Sequence, residues 1–168
     1  MRMTDFFLAQ LEREAPITRP SLERVPEGRP GWKPHEKSMP LGYLSNLVAT
    51  MPGWIAMTVD QDSLDLNPPG GQGYQAPVTD TRKALLQAFD DSVARGRSSL
   101  QGTSDDHLLT TWKLLVAGKV VQEAPRYVVI ADTFTHLAHH RGQLTVYLRL
   151  NGEPVPAIYG PSADDRTF

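Results

Sequence analysis

His136 and His140 are the residues whose type and spacing most directly permit chemistry. Four residues along an α-helix is one turn plus about 40°, so both imidazoles leave one side of the helix, about 6 Å apart. One divalent ion accepts two such nitrogens at about 2.0–2.1 Å. Two ligands do not hold an ion unaided, and the same pair also reads as two core histidines hydrogen-bonded to their neighbours. Asp132 stands one turn before His136 but about 12 Å along the axis from His140, too far to share an ion with it. It is placed instead to accept the other ring N–H of His136, or to stand as a solvated helix charge. His139 points about 100° from His140 and is expected at the surface. His107 falls in a polar turn, with a capping role expected. His35 precedes the second helix, where it either folds over the site or serves locally. Arg141 and Gln143 are candidates to line the site, although an ion pair with an acid on a neighbouring helix is the stronger expectation for Arg141.

Helices must position these groups. Apolar residues recur at helical spacing over four segments. The first runs from Thr4 to Val25 and is expected to kink or divide at Pro16 and Pro20. The second starts near Ser38, a good N-cap, and is expected to bend at Pro52. The third starts at Thr79 or Asp80 and ends at Gly102. The fourth follows Pro125, runs to Leu150 and closes at Asn151-Gly152; it spans nearly 40 Å. Its inward arc carries Val129, Thr133, His136, His140 and Leu144, so both imidazoles are expected to face the interior. Residues 60–78 read as a long loop suited to covering the site. Thr110 to Glu123, with Ala117-Gly118 between β-branched runs, predicts a small hairpin. An antiparallel bundle of four helices buries every stripe. The fold class expected is therefore all-α with one hairpin, as a single domain over 1–168 with an irregular tail at 153–168.

The totals exclude several functions. With 168 residues the chain can bury a core without staples. It has no cysteine, hence no disulfide, thiolate metal site or cysteine nucleophile. Seventeen basic and 19 acidic residues give a charge of −2, and no electrostatic reason to bind nucleic acid or an anionic membrane. No apolar run approaches a membrane span, and Asp5 interrupts any leader pattern, so a cytoplasmic location is expected. Ser45, Ser98 and Ser99 lie in no nucleophile elbow, and Gly70-Gly71-Gln72-Gly73 lacks the Lys-Ser/Thr of a phosphate loop.

The block His136-Leu137-Ala138-His139-His140-Arg141-Gly142-Gln143-Leu144 resembles HxxxHRGQL, the last-helix signature of the DinB-like (DinB/YfiT-type) proteins. Trp32 to Met39 with Leu41-Gly42, Met51-Pro52-Gly53-Trp54, Trp112 with Gly118, and Ile158-Tyr159-Gly160-Pro161-Ser162-Ala163-Asp164 are similar to further pieces of that family, so the resemblance covers nearly the whole chain. It implies an up-down-down-up four-helix bundle, often a homodimer. It also implies a divalent metal (Zn, Ni or Fe) on three histidines, and in some members thiol-dependent transferase or isomerase activity. The chain departs from that pattern in the second helix. In Leu44-Ser45-Asn46-Leu47-Val48-Ala49 the position of the third histidine falls on Leu47, which cannot ligate; Asn46 points about 100° away.

Three readings follow. One is a metal-dependent transferase or hydrolase acting on a thiol or other small molecule through His136 and His140. Another is a metal-free binder of a small apolar ligand. The last is a dimeric scaffold.

Overall fold

A computed structural model describes residues 1–73 and 79–167. Helix α1 (Met3–Glu23) begins where the carboxylate of Asp105 accepts the backbone N–H groups of Met3 and Thr4, at 2.9 and 3.1 Å. A helix leaves those first donors unpaired, and an acid there also meets the positive end of its dipole. The helix is not divided at Pro16 and Pro20 as the sequence suggested; it runs through both. The carbonyls these prolines leave without a helical partner belong to Glu12 and Pro16, both exposed residues.

Helix α2 (Leu41–Thr50) starts two residues later than an N-cap at Ser38 would place it. Its first N–H groups are taken by linker carbonyls, Leu41 by Trp32 and Gly42 by Pro30, each at 2.8 Å, so no Ser38 cap is used. Gly42 is required there, because a Cβ would stand 2.9 Å from that of Pro30. Pro52 breaks the segment outright: α2 ends at Thr50, and α3 (Gly53–Asp60) follows the turn. The carbonyl of Pro52 rests on Gly96, where a Cβ would come within 2.8 Å of it.

The loop expected over 60–78 contains a strand, β1 (Ser63–Asp65), and its last residues, 74–78, lie outside the described structure. Helix α4 (Arg82–Gly102) begins later than expected, capped by Thr81, whose Oγ1 accepts from Ala84 N. A single-turn helix, α5 (Asp105–Leu108), was not foreseen. Strands β2 (Thr111–Val116) and β3 (Lys119–Pro125) pair antiparallel. Ala117 and Gly118 between them both have positive φ, 52° and 76°, as a two-residue turn with the right twist demands. Strand β1 adds to β2 in parallel, Leu64 opposite Leu114, so the all-α expectation becomes a mainly helical fold with a three-stranded mixed sheet.

Helix α6 (Arg126–Leu150) crosses the molecule against α1, α2 and α3, while α4 packs on the opposite side of those elements. Leu11, Leu22, Leu44, Val48, Ile55, Phe89, Ile130, Leu137, Leu144 and Leu148 form their shared core. Buried Arg126 fixes the start of α6. Its guanidinium bonds Thr110, the carbonyls of Gln61 and Thr111, and Asp62, tying helix, sheet and the end of α3 together. The tail after Gly152 has no regular element among its described residues and is held by Asp164 on Arg149 and Asp165 on Arg24. No helix of the described residues is long and apolar enough to cross a membrane.

Candidate functional site

Helix α6 supplies one wall of a cavity of about 500 Å³ through Val129, Asp132, Thr133, His136 and His140. These positions recur at three- and four-residue steps, so one helix face presents them together. Tyr43 and Leu47 of α2, with Trp54 and Met57 of α3, form the facing wall. The sheet closes a side with Leu64, Trp112, Leu114 and Gln122. The lining is predominantly apolar, the usual composition of a small-molecule pocket.

The two imidazoles do not share one environment. His140 is buried, whereas His136 is exposed along the open side of the cavity, which corrects the expectation that both face the interior. Their Nε2 atoms are 2.8 Å apart. Gln143, one turn further along α6, accepts the Nδ1–H of His140 through Oε1 at 2.7 Å. That bond fixes the tautomer of His140: its Nε2 carries the lone pair and accepts the Nε2–H of His136. The ring edge of Trp54 packs on His136 at 5.4 Å. Loss of hydration holds the His136 pKa below the usual histidine value of 6.5, with smaller contributions from His140 and then His139.

The other predicted site residues divide. Leu47 lines the same cavity as both histidines. Asp132 also lines it, but no hydrogen bond joins it to His136 among the described residues, because His136 spends its Nε2–H on His140. Asn46 is buried elsewhere: its Nδ2 donates to the Gly42 carbonyl, and its Oδ1 accepts both N–H and Oγ1–H of Thr79. It pins residue 79 to α2. His35 is exposed, its Nδ1 accepting from Lys37 N, and does not reach the cavity. His107, at the end of α5, sets Nε2 against the Val59 carbonyl at 2.9 Å. His139 is exposed, as its angle from His140 requires.

Arg141 turns away from the cavity. Its guanidinium, 1 % exposed, pairs with Glu14 of α1 at 2.8 Å, donates to Thr18 Oγ1 at 2.7 Å and to the Tyr159 hydroxyl. Tyr159 in turn donates to Glu14 at 2.9 Å, so the tail closes the network. Sequence reasoning found an acid for Arg141 in kind but missed Glu14 and Tyr159. Within α1 only the burial of an acid on an apolar face at Glu14 signals it.

The residues do not complete a metal centre. Among the described residues no group of three His, Cys, Asp or Glu is placed to hold an ion. A catalytic zinc site uses three protein ligands, and the residue that lines the cavity with the two histidines at the centre of α2 is Leu47, which cannot ligate. The imidazole nitrogens also stand closer at 2.8 Å than the roughly 3.4 Å at which a tetrahedral ion spreads two ligands about 2.05 Å away.

Comparison with known proteins agrees with the geometry at the level of fold. The chain resembles a DinB-like protein from Bacillus cereus ATCC 10987, with a TM-score of 0.69, 21 % identity, and coverage of 91 % of this chain and 95 % of that one. It resembles the DinB-like protein YjoA of Bacillus subtilis similarly, with a TM-score of 0.65, 17 % identity, and coverage of 88 % and 93 %. In sequence it is 41 % identical over 44 residues to the uncharacterized protein YrdA of Bacillus subtilis strain 168, which is 26 % of each chain. The match thus spans about a quarter of that curated relative. The sequence model of the DinB family matches residues 82–167, from the start of α4 through α6 and into the tail, slightly more than half of the chain. This chain belongs to the DinB family.

Proposed function

We propose that the protein is a small-molecule-binding four-helix bundle of the DinB family in which a histidine pair, without a metal, forms the polar end of an apolar pocket. The observation that carries this reading is Leu47 lining the same cavity as His136 and His140. A leucine at the third ligand position removes a donor and adds apolar surface, which disfavours an ion and favours a carbon-rich ligand. A cavity of about 500 Å³ lies within the range that encloses drug-sized molecules.

What the pair does chemically follows from its tautomers. Gln143 holds His140 so that it accepts from His136, and the remaining ring nitrogen of the pair, His136 Nδ1, carries a lone pair. The pair therefore offers a bound molecule an acceptor. Met39, Trp54 and Trp112 supply soft and aromatic surface around it.

The test is saturable binding of Nile red, an uncharged apolar dye. One dye per chain is expected. Val129→Trp, which places an indole in the cavity, is expected to weaken binding by about tenfold, roughly 1.4 kcal/mol, with helix content retained. Unsaturable binding, or equal binding by Val129→Trp, contradicts the reading.

A further inference from the structure

The charge and hydrogen-bonding character of the cavity narrow the class of molecule it takes, an inference that rests on the binding-pocket reading. Among the described residues one formally charged side chain lines the cavity, the carboxylate of Asp132, and none of those lining it is Lys or Arg. Asp132 lies one turn before His136 on the same helix face, and it is exposed at the cavity wall, where an incoming head group can reach it. Tyr43, Trp54 and Trp112 contribute aromatic rings to the same cavity, and ring faces attract cations. The histidine pair adds an acceptor, since its two N–H groups are spent on Gln143 and within the pair.

These features agree in sign. A carboxylate ligand meets a like charge, finds no cationic side chain, and receives no donor from the pair. An ammonium meets an opposite charge, aromatic rings and an acceptor. We propose that the cavity is a site for organic amines, with an apolar or aromatic body against the Met, Leu and Trp surface and the cationic nitrogen at Asp132.

Three probes sharing one body test this: 4-phenylbutylamine, 4-phenylbutanol and 4-phenylbutanoate, titrated calorimetrically into the full chain and into Asp132→Asn. The amine is expected to bind at least about fivefold tighter than the alcohol, and the acid more weakly than the alcohol. In Asp132→Asn the amine-to-alcohol ratio is expected to fall below about twofold. Acid binding as tight as amine binding, or an amine preference that survives Asp132→Asn, overturns the amine assignment; measurable alcohol binding in the same titrations then still supports the pocket. Binding of none of the three overturns both.

Discussion

Arg141→Met should be among the most damaging single changes outside the cavity. Both members of the Arg141–Glu14 pair are almost fully enclosed, at 1 % and 3 % exposure. Removing the guanidinium leaves the Glu14 carboxylate with the Tyr159 hydroxyl and a longer contact from Gln10 Nε2 at 3.3 Å. It also removes the donor to Thr18 and the stacking of Arg141 over the Tyr159 ring at 5.0 Å. Breaking a buried pair by deleting one partner costs about 3–5 kcal/mol. For a chain of this size each kcal/mol lowers the melting temperature by about 2–4 °C, so a drop of about 6–20 °C is expected. Urea melts followed by circular dichroism, with calorimetry alongside, measure it. Replacing both partners, Arg141→Met with Glu14→Gln, removes the orphaned charge and should recover at least half of the loss. A single-variant loss below about 1 kcal/mol, or a double variant as poor as the sum of both singles, would refute the reasoning.

Two further expectations concern the histidine pair. Nitrogen-15 NMR should find His140 as the Nδ1–H tautomer, and Gln143→Leu should shift it towards Nε2–H; a wild type already dominated by Nε2–H contradicts the assigned network. His136 should titrate below 6.5, since its proton is disfavoured by lost hydration and then by its histidine neighbours. The unfolded chain then binds that proton more readily than the folded one. Stability should therefore fall as pH drops below about 6.5, with a shallower fall in His136→Ala; titration of His136 at or above 6.5 contradicts this.

The legible parts of this protein were those set by local pattern. Helix α6 announces itself through a long apolar periodicity between Pro125 and Asn151-Gly152, and the β2–β3 turn through Ala117-Gly118. Features that depend on distant partners were not legible. Helix α2 begins at Leu41 because carbonyls of residues 30 and 32 cap it, and no residue at positions 38–40 encodes that. Strand β1 is three residues long and exists through pairing with β2, some fifty positions on. Pro16 and Pro20 look like breaks, yet the residues whose carbonyls they free, Glu12 and Pro16, are exposed and the helix passes through. At the site, spacing placed His136 and His140 on one helix face, but the distinction between a buried and an exposed ring depends on how α2 and α3 pack across from them. Arg141 adjoins His140 in sequence and serves a different face, because consecutive helical residues point about 100° apart.

Metal content per chain, by mass spectrometry of protein purified without added metal, tests the central claim. The wild type should carry well under one ion, and Leu47→His, which supplies a third imidazole to the cavity wall, should raise occupancy towards one. A wild type holding one tightly bound ion, or a Leu47→His variant no better than wild type, would contradict the proposal that Leu47 stands in place of a metal ligand.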